Sequence, residues 1–419
     1  MKVLHHRIRF CSTGLRGFLI LTGMVAFLVQ DLSAETAAEE NIRWQVGTPI
    51  VTYWAGPPLT DTVAAQLAEG GWNVVWTREH ELDIAAKYGL RAQLQDPLLT
   101  PESLDDPERR AKLDALIDRV RNHPALYSFF LRDEPNARDF AALARLVTYL
   151  RQRDPAHLAY INLFPTYASN EQLGTKGDVV TAYREHLRLY LETVKPDLIS
   201  YDHYQFRADG DGDQYFLNLS LIREYALMYK LPFLNIVQAC SWTPSMRVPN
   251  GDELRYLVYT TLAYGAQGIS YYVYCWPNHV GGMALPDGTR TPLYHAAKTL
   301  NREFAAIAKQ LQPLASLAVY HVGSLPTGAV SLPADAPFRV SAKGDSSPGF
   351  VLGYFGQAGG PANHVVVVNL NYRAPVTGEL IGPAPLEKFD PGQKRWQPLG
   401  GNAASLEFPP GGGFLLRTQ

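Results

Sequence analysis

The sequence predicts an α/β fold, a (β/α)8 TIM barrel with a small C-terminal all-β sandwich, on three observations. From about residue 48, short β-branched and aromatic runs alternate strictly with segments of helical spacing. The alternation repeats eight times over roughly 265 residues, close to the ~250 residues of such a barrel. After about residue 314 the helical segments stop, and strand-like runs punctuated by Gly and Pro replace them.

The eight runs are PIVTYW (49–54), NVVWT (73–77), RAQLQ (91–95), LYSFFLRD (126–133), LAYINLF (158–164), LISYDHY (198–204), PFLNIVQA (232–239) and GISYYVYCW (268–276). Each is short, rich in Val, Ile, Phe or Tyr, and bounded by Gly, Pro or polar residues, which predicts a buried strand. Helical spacing appears at 60–70, 107–123, 138–153, 252–268 and 291–312, and Pro155, Pro196, Pro232 and Gly268 stop the preceding helix before several strands. Strict alternation means parallel strands with helical crossovers. No Gly-rich phosphate loop follows the first strand, which argues against a dinucleotide-binding sheet. In the tail, 349–355, 364–372 and 404–418 read as strands, with Gly411–Gly413 as a turn. The expected organisation is 1–34 signal peptide, 35–47 lead-in, 48–314 barrel and 315–419 β-sandwich.

The first segment has its own physics. Lys2, Arg7, Arg9 and Arg16 precede the apolar run GFLILTGMVAFLV (17–29), and small residues in LSA (32–34) come after it. This is the pattern of a secretory signal peptide cleaved after Ala34, so a secreted or periplasmic protein is expected, with no membrane span in the mature chain. Removing four of the 38 basic and one of the 40 acidic residues leaves a net charge of −5. A mildly acidic chain without a basic cluster is a poor partner for nucleic acid. Cys240 and Cys275 remain, either as one disulfide or as two buried thiols.

In this barrel the active site lies at the C-terminal ends of the strands, so the residues closing each strand converge on one mouth. Strand one ends in Tyr53 and Trp54, strand two in Trp76, Arg78 and Glu79, and strand three in Gln95 and Asp96. Strand four brings Arg132, Asp133 and Glu134, and strand five Asn162. Strand six brings Tyr201, Asp202, His203 and Tyr204, strand seven Gln238 and then Trp242, and strand eight Tyr274 and Trp276. Aromatic faces stack on the apolar face of a pyranose while carboxylates and amides bind its hydroxyls, so this mouth points to a carbohydrate.

The ending FFLRDEPN (129–136) resembles the Asn-Glu-Pro ending of strand four in glycoside hydrolase clan A. The stretches 254–277 and 287–304 are similar to the last barrel units of β-galactosidase-like members, and EFPPGGGFLLRT (407–418) to their C-terminal β-domains. The resemblance implies a glycoside hydrolase with Glu134 as general acid/base. Two departures accompany it: Asp133 replaces the Asn before the acid, and Gln238 stands in the region where the clan carries its strand-seven nucleophile. Asp202 in ISYDHY is then the favoured second carboxylate. A Tyr-Asp pair on strand six with a strand-four Glu also resembles family eighteen chitinase-like barrels, although the DxxDxDxE run is absent; there the substrate's N-acetyl group assists and Gln238 would orient it.

Glu134, Asp202 and Asp133 are therefore the expected catalytic residues. Trp54, Trp76, Asn162, His203, Tyr204, Gln238, Trp242 and Trp276 are expected on the carbohydrate, with no metal and no cofactor. An inverting reaction through Asp202 calls for a carboxyl separation of ~6.5–9.5 Å. His80 and His203 are single histidines, and DGDGD (209–213) lacks the Gly and closing Glu of a calcium loop. The alternative is a non-catalytic carbohydrate-binding barrel.

Overall fold

The computed structural model describes residues 43–343 and 348–418. The expected signal peptide and most of the lead-in lie outside the described residues. Residues 45–419 form one compact unit.

Eight parallel strands make the barrel: β1 (Ile50–Trp54), β2 (Val74–Thr77), β3 (Arg91–Leu94), β4 (Leu126–Asp133), β5 (Leu158–Leu163), β6 (Ile199–His203), β7 (Phe233–Gln238) and β8 (Gly268–Tyr272). Their order is β1-β8-β7-β6-β5-β4-β3-β2, each hydrogen-bonded to the next in parallel. Between β2 and β1 side chains complete the circle. Asn73 Oδ1 accepts from the Val51 amide (3.0 Å) and the Trp76 indole donates to the Tyr53 carbonyl (2.5 Å), beside one backbone bond from the Asn73 N–H to the Val51 carbonyl (2.9 Å).

The crossover helices are α1 (Asp61–Glu69), α2 (Leu82–Lys87), α3 (Pro107–Val120), α4 (Phe140–Arg153), α5 (Val179–Val194), α6 (Tyr215–Tyr229), α7 (Gly251–Ala263) and α8 (Pro292–Leu311). Helix α8 shows how sequence makes them. Thr291 caps its start through the Tyr294 amide, and Pro292 takes the first turn, where no amide partner is needed. Leu293, Ala297, Leu300, Phe304, Ile307, Ala308 and Leu311 then recur at helical spacing on its buried face. Truncating Leu300 to Ala would cost about 2–5 kcal/mol.

One irregularity matters for function. Strand β4 is bulged against β5: Phe130 pairs with Tyr160, Arg132 with Ile161 and Asp133 with Asn162. Side chains alternate across a strand, so the extra residue Leu131 reverses the parity of Arg132 and Asp133. Phe130 and Asp133 thereby both face the same side as Tyr160 and Asn162.

The C-terminal part is a β-sandwich of nine strands: β9 (Ala315–Gly323), β10 (Arg339–Ala342), β11 (Gly349–Gly356), β12 (His364–Asn369), β13 (Val376–Ile381), β14 (Leu386–Asp390), β15 (Arg395–Pro398), β16 (Ala403–Phe408) and β17 (Gly413–Thr418). One sheet runs β9-β11-β12-β17-β14-β15 and the other β10-β13-β16. Phe338, Phe350, Leu352, Val365, Val367, Phe408 and Leu416 fill the space between them. The larger sheet packs on α7 without side chains intervening at Gly353, where a Cβ would fall 1.9 Å from the Ala263 carbonyl oxygen. Arg223 of α6 adds two bonds to Ser316, each of 2.8 Å.

The DGDGD segment lies at a small hairpin, Phe206–Arg207 against Gly210–Asp211. Asp211 is engaged by Arg247 (3.3 Å) and by the Tyr372 hydroxyl (2.5 Å), so it ties the barrel to the β-sandwich. Cys240 and Cys275 are both free thiols.

Candidate active site

At the C-terminal end of the strands lies a cavity of about 290 Å3. It is lined by three carboxyls (Asp133, Glu134, Asp202), two amides (Asn162, Gln172) and five aromatic rings (Trp54, Tyr167, Tyr204, Trp242, Tyr272). None of these lining residues is a cation.

Glu134 and Asp202 line this cavity together with Asp133, and carboxyls gathered in a buried site resist ionising together. Both are held above the ordinary carboxylate range. For Glu134 the causes are burial, then repulsion by Asp202 and Asp133. For Asp202 they are burial and repulsion by Asp133, opposed by hydrogen bonds from Asn162 and Tyr204. Asp202 accepts the Asn162 side-chain amide at 3.0 Å, a bond that favours its anion. Asp133 is also raised, by burial first, with Asn162 and Arg132 pulling the other way.

Backbone geometry places the acid. The Glu134 amide still bonds to the Asn162 carbonyl (2.9 Å), but its φ is +42°, a left-handed conformation that a residue with a side chain adopts only at a cost. Such strain is commonly stored at functional positions. Pro135 follows at once, and Asn136 then caps the short turn Ala137–Asp139 with its Oδ1. The Asn136 side-chain amide also donates to the carbonyls of Glu171 and Gln172, at 2.7 and 3.0 Å. That fastens the loop after β5 to the loop after β4. Within it a capping box between Ser169 and Gln172 orients Gln172.

The aromatic wall is packed. Tyr204, Trp242 and Tyr272 touch one another with ring centroids 4.9–5.1 Å apart. His279 accepts the Tyr272 hydroxyl (3.0 Å), and Trp54 sits edge-on to Trp76 and Phe130.

Of the residues expected at the mouth, Glu134, Asp202, Asp133, Trp54, Asn162, Tyr204 and Trp242 line one cavity. Four others do not. Gln238 is buried and spent on backbone: it accepts from the Phe206 amide (2.8 Å) and donates to Phe206, Arg247 and Cys240 carbonyls. An amide so engaged cannot orient a ligand. His203 faces away from Asp202, as strand alternation requires, and bonds to Asn218 (2.9 Å). Trp76 serves the barrel seam and supports Trp54, while Trp276 stands 49% exposed outside the cavity. Glu79 is taken by Arg119, and Asp96 caps its own turn at Leu98.

Three lining residues were not anticipated. Tyr272 lies inside GISYYVYCW, but the strand closes there, four residues before the expected end. Tyr167 comes from the loop after β5 and Gln172 from the one-turn helix Asn170–Leu173 beyond it, where strand-end logic does not look. An aromatic ring in the polar stretch PTYASNEQL was the available signal.

No family model matches the sequence, and no curated protein matches it. Among solved structures, it is similar to a β-galactosidase from the psychrophilic Marinomonas ef1 (12% identity, TM-score 0.42, 63% of this chain on 60% of that one). Xylanase 10B from Thermotoga maritima aligns at 10% identity and TM-score 0.41, over 62% of this chain and 96% of that one. An FMN-binding β-glucuronidase from Facaelibacterium prausnitzii L2-6 aligns at 12% and 0.40, over 89% of this chain and 53% of that one. The chain thus spans about 60% of the β-galactosidase's length. These neighbours are glycoside hydrolases, and the likeness is one of overall barrel fold.

Proposed function

We propose that the protein is an exported glycoside hydrolase that cleaves O-glycosidic bonds of an oligo- or polysaccharide. One observation carries this reading: Glu134, raised above the ordinary carboxylate range by burial, lines an aromatic-walled cavity with two further carboxyls. Glycosidic cleavage needs an acid for the leaving oxygen and a carboxylate to meet the positive charge growing at the anomeric carbon. Glu134 supplies the first, and Asp202, backed by Asp133, supplies the second.

In this reading the Glu134 proton goes to the leaving glycosidic oxygen while Asp202, on the same cavity, faces the anomeric centre. The aromatic wall holds the ring by its C–H face and excludes water.

The missing strand-seven carboxylate, with Gln238 structural in its place, favours a second reading, a barrel that binds carbohydrate without cleaving it. Screening neutral oligosaccharides for reducing-end release, with Glu134→Gln alongside, separates the two. Turnover that Glu134→Gln removes while binding persists supports the hydrolase. Saturable binding without turnover by the wild type supports the binding barrel, and turnover that survives Glu134→Gln excludes Glu134 as the acid.

A further inference from the structure

Below the cavity floor a chain of buried polar groups crosses from β5 to β6. The Tyr160 hydroxyl lies 2.7 Å from Ser200 Oγ, and Ser200 Oγ donates to Asn162 Oδ1 at 3.0 Å. Asn162 then spends both amide hydrogens on carboxylates, Asp133 Oδ1 at 3.1 Å and Asp202 Oδ1 at 3.0 Å. A serine hydroxyl has a single hydrogen, so with that hydrogen on Asn162, Tyr160 is the donor to Ser200. The direction of every bond is thereby set: Tyr160 to Ser200 to Asn162 to the two aspartates. Tyr160 and Asn162 are two apart on β5, as are Ser200 and Asp202 on β6, so all four face inward by strand alternation.

We propose that this chain is a positioning device that keeps Asp202 ionised, so that Glu134 is the carboxyl of the two that carries a proton. Two donors, Asn162 and Tyr204, address Asp202 and favour its anion. Glu134 receives no donor from the chain and is left with the proton. The amide cannot turn over, because Ser200 holds its oxygen from below while the carboxylates hold its nitrogen from above. Among the other groups facing the pair, Asp133 repels both carboxyls and the Asn162 bond to Asp202 works against that repulsion. Asp133 and Arg132 come from β4, Tyr167 from the loop after β5, Tyr183 from α5 and Tyr272 from β8, and Arg132 acts on Asp133. Ser200 is fully buried and does not line the cavity, so an effect of changing it cannot be a lost substrate contact.

The kinetic arm of the test rests on the hydrolase reading; the spectroscopic arm does not. Infrared spectra of the folded protein show a protonated-carboxyl band at neutral pH, and 13C labelling of aspartate side-chain carboxyls moves an Asp band while leaving a Glu band in place. The wild-type band should stay put on labelling. In Asn162→Leu and in Ser200→Ala it should move, because the proton has passed to Asp202. In kinetics, Ser200→Ala should lower kcat roughly tenfold with KM little changed and move the acidic limb of the pH profile up by about one unit, with Ser200→Thr restoring both. A band that belongs to Glu in all of these variants, or to Asp already in the wild type, overturns the proposal. So does a loss of kcat in Ser200→Ala with the acidic limb unmoved. If no glycoside is ever turned over, the infrared result still decides the matter.

Discussion

Two polar clusters lie side by side at the mouth of this barrel, and they are built on opposite principles. In the cluster of Asp133, Glu134 and Asp202, like charges are pressed together, no lining residue is a cation, and one backbone angle is strained. Among His203 (next to Asp202 on β6), Asn218 of α6 and Gln238 of β7, the polar groups are matched with partners. Gln238 satisfies four backbone groups, and Asn218 accepts from His203 and Thr166 while donating to Tyr183. The first cluster costs stability and has chemistry to offer a ligand; the second contributes stability and has nothing left to offer. Residue types alone do not separate them.

Substitutions can break or sharpen that contrast. The largest effect is expected at Asp202→Asn, which removes the anion facing the anomeric carbon. Turnover on whichever glycoside the screen identifies should fall roughly 10²–10⁴-fold with the fold intact by circular dichroism. Gln238→Ala should do the reverse, lowering unfolding stability by about 2–4 kcal/mol in urea because it strands buried backbone groups. If Gln238→Ala were stable but inactive, the division drawn between the clusters would be wrong.

A third test uses pH. Glu134 binds its proton more tightly folded than unfolded, so its contribution to stability is fully present at low pH and is lost as pH rises from near 4.5 toward its raised folded value. Glu134→Gln removes that loss. The variant's melting temperature should therefore exceed the wild type's by a margin that grows between acidic and mildly alkaline pH; a constant or shrinking margin would contradict a buried, protonated Glu134. Smaller again is Trp242→Ala, expected to weaken saccharide affinity about tenfold through the lost stacking face. Smallest is Trp276→Ala, which should leave both affinity and stability within about 0.5 kcal/mol of wild type, as an exposed ring outside the cavity. A Trp276→Ala defect equal to that of Trp242→Ala would extend the site beyond the cavity.

The barrel was legible because its signals are local. Eight short β-branched runs, bounded by Gly and Pro, coincide with the eight strands to within a residue or two, except that β8 closes at Tyr272 and not at residue 276. Glu134, Asp133 and Asp202 were legible because strand ends in such a barrel must converge. His203 and Gln238 misled for a physical reason: a polar residue at a strand end can turn to the cavity, to the helices or to a neighbouring loop. Which way it turns depends on partners distant in sequence, Asn218 for one and Phe206 and Arg247 for the other.

By itself, then, the order of residues determined the alternation of strands and helices, the all-β texture of the tail and the carboxylates at the ends of β4 and β6. These arise from side-chain shape, hydrophobic period and turn chemistry within a few residues. Only the tertiary structure decided that a bulge at Leu131 turns Asp133 inward, that Glu134 and Asp202 meet in one cavity, and that the segment after β5 carries Tyr167 and Gln172 into the wall. Each of those depends on register between strands and on burial, which arise only when segments far apart in the chain are packed together.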